Sequence, residues 1–266
     1  MRRPALAVLL LMPCLALAQS TDDRPPGQTT NEDDRWHIGL AASVRDSPYA
    51  GEGTRTRPLP LLGFEGERVF WRGLSGGVHL VDGPRFTLDA IVSGRFDGFD
   101  IEDLGAGALR ANGLEPDLLD DRDDGLDIGL AAAWRGRAGE LALEALADVT
   151  DASGGQEVSL SYGYPLQWGS FSLVPGAGVR WMSKDLANYY YGVLDEEVAR
   201  GMPSYRPGSA VVPEISLGFV RPLGGKWRLT GSLKYEFLPD ELSDSPFLEP
   251  DTSGTGRLVL GLSRGF

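Results

Sequence analysis

Apolar and polar residues alternate along most of this chain. In 126–134, LDIGLAAAW, Leu126, Ile128, Leu130, Ala132 and Trp134 share one face, and Asp127, Gly129, Ala131 and Ala133 share the other. In 157–164, EVSLSYGY, Val158, Leu160, Tyr162 and Tyr164 oppose Glu157, Ser159, Ser161 and Gly163. In 227–237, WRLTGSLKYEF, Trp227, Leu229, Leu233, Tyr235 and Phe237 oppose Arg228, Thr230, Ser232, Lys234 and Glu236. The last stretch sets Leu258, Leu260, Leu262 and Phe266 against Gly261, Ser263 and Gly265, with Arg264 intruding on the apolar side. A period of two is that of a β-strand. The pattern predicts strands near 36–44, 57–64, 67–73, 75–81, 85–93, 125–134, 138–149, 156–164, 169–181, 211–220, 227–237 and 256–266.

Length and side-chain size narrow the class. Several of these segments run ten residues or more, whereas soluble strands usually run about five or six and a tilted membrane-crossing strand needs about 9–11. The polar faces are crowded with Gly, Ser, Ala and Thr, which fit a confined lumen better than a water-facing sheet. Trp71, Trp134, Tyr164, Trp168, Trp181, Trp227, Phe237 and Phe266 sit at strand ends, where an interfacial girdle lies. With a periplasmic start, the long connections 45–56, 94–124, 182–210 and 238–255 all fall outside the cell, and every internal turn is short. The expectation is an all-β, antiparallel transmembrane β-barrel of twelve strands with short periplasmic turns and long external loops. Ten is the alternative if RVFWRGLSGGVHLV forms a single strand. A secreted sandwich or soluble barrel is the competing class.

The N-terminus reads MRRPALAVLLLMPCLALAQS. Arg2 and Arg3, an apolar run to Leu17 and a small-residue site ending at Ala18 predict a secretory signal peptide over 1–18. The sole cysteine, Cys14, lies inside it, so no disulfide is expected. Residues 19–35 are polar and rich in acid, Pro and Gly, and read as a flexible leader. The barrel domain is then 36–266. The chain carries 25 basic and 38 acidic residues, and losing Arg2 and Arg3 leaves a charge near −15. Such acidity excludes nucleic acid as a partner.

Candidate chemistry is thin. His37 and His79 are the two histidines, and neither lies in a motif that would pair it with a nucleophile. A nucleophile elbow is not expected. Without a mature cysteine and with separated histidines, no transition-metal site is expected, and no cofactor. The acidic run DLLDDRDDGLD at 117–127 puts Arg122 and Gly125 where an EF-hand wants oxygen ligands, so it reads as a solvated loop. The chain is therefore expected not to be an enzyme.

The 29-residue external connection 182–210 carries Tyr189, Tyr190 and Tyr191, and a loop of that length usually has a function. In an extended run the three tyrosines would alternate faces. The expectation is that this loop folds across the mouth and narrows the pore, with a helical turn over DEEVAR at 195–200. Candidate lumen residues are Arg95, Asp97, Asp127, Glu144, Glu157, Arg228, Lys234 and Glu236, with opposite charges paired across the interior.

Four stretches carry a family resemblance: SPYAGEG at 47–53 with PLPLLGFEGERVFWRG; the run from Arg95 to DGLDIG; LANYYYGVLDEEVARGMPSYRPGSA at 186–210; and SDSPFLE at 243–249. The chain resembles the MipA/OmpV family of MltA-interacting outer-membrane proteins over roughly 36–266. Tyr191 stands where the family often has Phe before the Gly. The resemblance implies a porin-like barrel in the outer membrane of a Gram-negative bacterium, set among lipid and lipopolysaccharide and inserted by the barrel-assembly machinery through its terminal Phe266. It also implies a scaffold role for periplasmic murein enzymes, namely a lytic transglycosylase and a peptidoglycan synthase. A narrow channel for small polar solutes is the alternative function.

Overall fold

The structure, a computed structural model, describes residues 35–266. The expected signal peptide and most of the leader lie outside the described residues. Thirteen strands form one antiparallel sheet: β1 Trp36–Asp46, β2 Thr54–Glu65, β3 Val69–Arg72, β4 Ser75–Asp82, β5 Phe86–Arg95, β6 Gly125–Gly136, β7 Gly139–Asp148, β8 Gln156–Gly163, β9 Leu166–Trp168, β10 Phe171–Met182, β11 Ala210–Gly224, β12 Trp227–Phe237 and β13 Gly254–Gly265. β10 pairs with β11, and β13 pairs with β1, so the sheet closes. β9 pairs only with the first residues of β10, continuing the line of β8 past the break at Tyr164 and Pro165. The wall therefore has twelve staves, as the alternation predicts. None of the helices among the described residues is long and apolar enough to cross a membrane.

The sheet faces follow the sequence pattern. Leu40, Ile128, Leu130, Leu143, Ile215, Leu233 and Leu260 are exposed on the outside, as a lipid-facing band requires. Trp36, Phe64 and Phe266 meet at the periplasmic rim, where Trp36 and Phe64 rings lie 4.8 Å apart and Phe266 N–H donates to Trp36 O at 2.9 Å. Arg264 belongs to the same belt. Its guanidinium lies over the rings of Trp227 and Phe266, at 5.9 and 5.2 Å, which explains a cation on an apolar face.

The main core lies outside the wall. The external loops fold into a cap whose buried cluster contains Tyr49, Phe99, Leu109, Leu114, Leu186, Tyr190, Tyr191, Leu242, Phe247 and Leu248, among others. Its loops interlock through backbone bonds. Ala50 N–H donates to Phe247 O at 2.8 Å, Gly105 N–H to Ala50 O at 2.9 Å, and Glu249 N–H to Pro48 O at 2.9 Å. Loop 96–124 contributes the helix Ala106–Ala111, and loop 183–209 the helices Lys184–Tyr191 and Asp195–Ala199. Loop 238–253 adds Asp240–Ser243.

Candidate functional site: a capped, charge-lined lumen

Beneath the cap lies a cavity of about 280 Å³, lined by strand side chains and closed above by Tyr49, Tyr190 and Tyr191. Its walls are charged because lumen-facing positions of neighbouring strands bring opposite signs together. Arg95 binds Asp127 at 2.7 Å and Glu157 at 3.0 Å. Arg180 binds Glu157 at 3.4 Å and Glu236 at 3.2 Å. Lys234 binds Glu236 at 3.2 Å and also Glu214. The result is a belt of alternating charge running from Asp127 to Glu214 across six staves. Asp97, just above β5, faces Arg95 at 3.5 Å and Arg45 at 3.9 Å. Burial alone would raise the Asp97 carboxyl, but Arg95, Arg45 and Arg180 hold it below its usual range.

Most of the expected lumen residues thus meet in one place: Arg95, Asp97, Asp127, Glu157, Lys234 and Glu236. Glu144 also lines the cavity. Arg228 shares the lumen face of β12 but sits nearer the periplasmic rim, opposite Ser263 of β13, and is not part of the belt. Sequence reading missed Arg45, Arg180 and Glu214. Their signal was available, since each is a charge on the inward face of its strand.

The run 189–191 is helical, not extended, because Ser183 caps the helix by accepting from Leu186 N–H at 3.3 Å and Gly192 ends it. All three rings enter the cap. Tyr190 and Tyr191 are buried, and burial pushes their phenols up. Tyr189 O–H accepts from Asp123 N–H at 2.8 Å. The loop does fold across the mouth, and the helical turn at 195–199 is present.

The acidic run holds the largest surprise. Arg122, in its centre, is fully buried and paired with Glu197, which is equally inaccessible, at 2.9 Å through both guanidinium nitrogens. Arg122 also donates to the carbonyls of Asp120, Tyr189 and Gly192. Glu197 accepts further from Asp120 N–H at 2.9 Å and Leu194 N–H at 2.7 Å. A cation amid six aspartates looks like a solvated residue. Nothing local reveals that its partner lies 75 positions away. Among the described residues, no group of three or more possible ligands is placed to hold a metal.

The histidines assemble no catalytic set. His79 Nδ1 lies 2.7 Å from Asp89 and Nε2 3.2 Å from Glu65, with Phe70 stacked at 4.8 Å. Both ring nitrogens are thus engaged by carboxylates, leaving none to activate a hydroxyl. As letters, G-x-S-x-G occurs twice, at 73–77 and 261–265. Ser75 and Ser263 both lie on strands rather than on a strand-to-helix elbow, and Ser75 Oγ bonds Ser93 Oγ at 2.7 Å.

Residues 38–266 match the family described as MltA-interacting protein MipA. The chain belongs to that family. The outer membrane protein YiaT of Escherichia coli K12 is 33% identical over 230 residues, covering 86% of this chain and 90% of that protein. The MltA-interacting protein of the same organism is 30% identical over 235 residues, covering 87% and 90%. Outer membrane protein OmpV of Vibrio cholerae is 27% identical over 131 residues, covering 49% and 51%. This MipA-family chain is a β-barrel of the Gram-negative outer membrane, as its pattern and terminal aromatic predict.

Proposed function

We propose that the chain is a closed barrel that acts as an outer-membrane scaffold for periplasmic enzymes of peptidoglycan synthesis or remodelling. The cap carries this reading. A lumen that ends under a dry, interlocked lid is built for rigidity rather than flow. Similarity to the MltA-interacting protein supplies the class of partner. The docking surface is then the periplasmic rim and the leader, with lipid and lipopolysaccharide around the wall and the barrel-assembly machinery acting on the Phe266 end.

One observation favours a second reading. The 280 Å³ cavity carries a belt of charged side chains on its wall, and a displaced cap would leave a narrow channel for small solutes. In that case Tyr189–Tyr191 are the gate, and Asp97, Asp127, Glu157, Arg228, Lys234 and Glu236 line the path. One pair of measurements on the refolded mature protein separates them. The scaffold reading expects silence in a planar bilayer and retention of a lytic transglycosylase or peptidoglycan synthase on the immobilised barrel. Stable conductance steps without enzyme retention would replace it with the channel.

A further inference from the structure

The wall is not equally complete all round. β2 pairs with β1 from Thr54 to Phe64, and Glu65 N–H donates to Arg35 O at 2.9 Å just beyond it. On its other side β3 reaches only Gly63, Phe64 and Glu65. One more bond, from Gly73 N–H to Leu62 O at 2.9 Å, ends the contact. Above it, the outer edge of β2 makes no backbone hydrogen bond among the described residues. Across the opening, the tip of the β3–β4 hairpin is tied to β5 by Gly94 N–H donating to Leu74 O at 3.2 Å, and β5 stops at Arg95. The opening thus has a sill at Gly73–Leu74. Its lintel is the contact of the first loop with loop 96–124, where Gly51 and Gly105 pass so closely that a Cβ on Gly51 would lie 2.5 Å from Gly105 Cα.

The sequence of β2 fits an exposed edge. Leu62 O points towards β3, so the even-numbered residues present their backbone groups to the opening. Two of them are Pro58 and Pro60, which have no N–H to leave unsatisfied. Proline within a sheet is confined to such edges, and in hydrocarbon an unpaired donor is costly. The opening lies at hydrocarbon depth, since Pro58 and Pro60 pair with Ala42 and Leu40 of the lipid-facing band. Behind it sits one of the two apolar patches of the lumen, the other being Phe70, Ile91 and Leu146. Leu59, Ala41 and Val259 are buried together, with Leu61 and the sill residue Leu74 packed on them. Arg57 is next above Leu59 on the same face of β2, and its charge reaches the Asp124 carboxylate on the neighbouring loop.

We infer that this gap is a lateral portal, through which the acyl chain of an anionic single-chain amphiphile passes between the outer leaflet and the lumen. The chain lies on the Leu59–Leu61–Leu74 patch, and the anionic head meets Arg57. The cap closes the axial route, so the side opening is the way in from the outer leaflet. This holds whether or not the barrel is a scaffold.

The barrel domain has no cysteine, so Leu61→Cys in the mature chain carries a single environment-sensitive fluorophore inside the wall. Ser159→Cys on the lumen face of β8 is the control. The proteins are refolded into phosphatidylcholine vesicles, and heat-modifiable migration confirms closure. Spin-labelled stearate is expected to quench the Leu61 position several-fold more than the Ser159 position. Quenching by spin-labelled phosphatidylcholine as well would extend the portal to two-chain lipids. No quenching at Leu61, or equal quenching at both sites, overturns the proposal. Leu74→Cys provides a second reporter on the sill if the first variant does not fold. Arg57→Gln separates the head-group contact: unchanged stearate quenching there removes the anion from the assignment.

Discussion

Above the barrel, twenty buried apolar side chains form one cluster, whereas the two clusters inside it hold three buried residues each. The cap is organised like a small soluble domain. Water drives its assembly, and the Arg122–Glu197 pair inside it is inaccessible to solvent. The lumen is organised the other way, with small side chains on the wall and a belt of ions around a cavity. The wall itself faces lipid and gains nothing from burying its outer leucines. The difference teaches where mutations act. Tertiary packing is decided outside the membrane, and closure of the sheet is decided by backbone pairing within it.

The comparison breaks most readily at Arg122. Removing it leaves Glu197 as an uncompensated charge in an apolar interior, which typically costs about 3–5 kcal/mol. Arg122→Ala is expected to open the cap to protease while heat-modifiable migration of the barrel persists. Loss of the barrel as well would show that cap and wall form one cooperative unit. Next in size is Leu109→Ala, at a buried position of the cap, where Leu→Ala typically costs about 2–5 kcal/mol. Its counterpart is Leu40→Ala on the lipid face, which is expected to leave stability nearly unchanged, because lipid tails are as apolar as leucine. Urea titrations of both variants in vesicles test the contrast. Equal effects would mean that the cap is not the principal core.

These predictions also mark what was legible in the sequence. The strands were, because lipid outside and small polar residues inside impose a strict period of two on each stave. Even Arg264 was visible as an exception. The lumen candidates were partly legible, since a charge opposite small residues must face inward, and Asp127, Glu157 and Lys234 do. The cap was not, because its order arises from contacts between loops far apart in the chain. Tyr49 donates to Tyr190 O across 141 positions, and Asn112 reaches Leu248 O across 136. The portal is intermediate. Pro58 and Pro60 announce an edge, but only pairing shows that β3 is too short to cover it.

Asp97 joins the two regions, and its pH response sharpens the boundary. Its carboxyl, which burial alone would raise, is held below the ordinary value of about 3.9 by four arginines, Arg95, Arg45, Arg180 and Arg257. A depressed carboxylate adds stability above its unfolded pKa, and that contribution is lost as pH falls through the folded one. Protease resistance of the cap is therefore expected to hold steady from neutral pH down to the ordinary carboxylate range and to fall only below it. Asp97→Asn should show weaker resistance at neutral pH and a flatter acid response. An unchanged acid profile in that variant would place the loosening elsewhere in the belt.

The smallest effect is expected where the geometry looks best. Arg110 grips Glu115 through Nε at 3.0 Å and through its terminal nitrogen at 2.8 Å, distances matching those of Arg122 and Glu197. Both partners sit on the outer surface of the cap, where water solvates each alone as well as together and salt screens their attraction. Arg110→Gln is expected to leave the cap's melting temperature and protease pattern as they were, at low and high salt alike. A loss comparable to that of Arg122→Ala would mean that surface charge, not the dry interior, holds the cap, and the contrast between the two regions would fall with it.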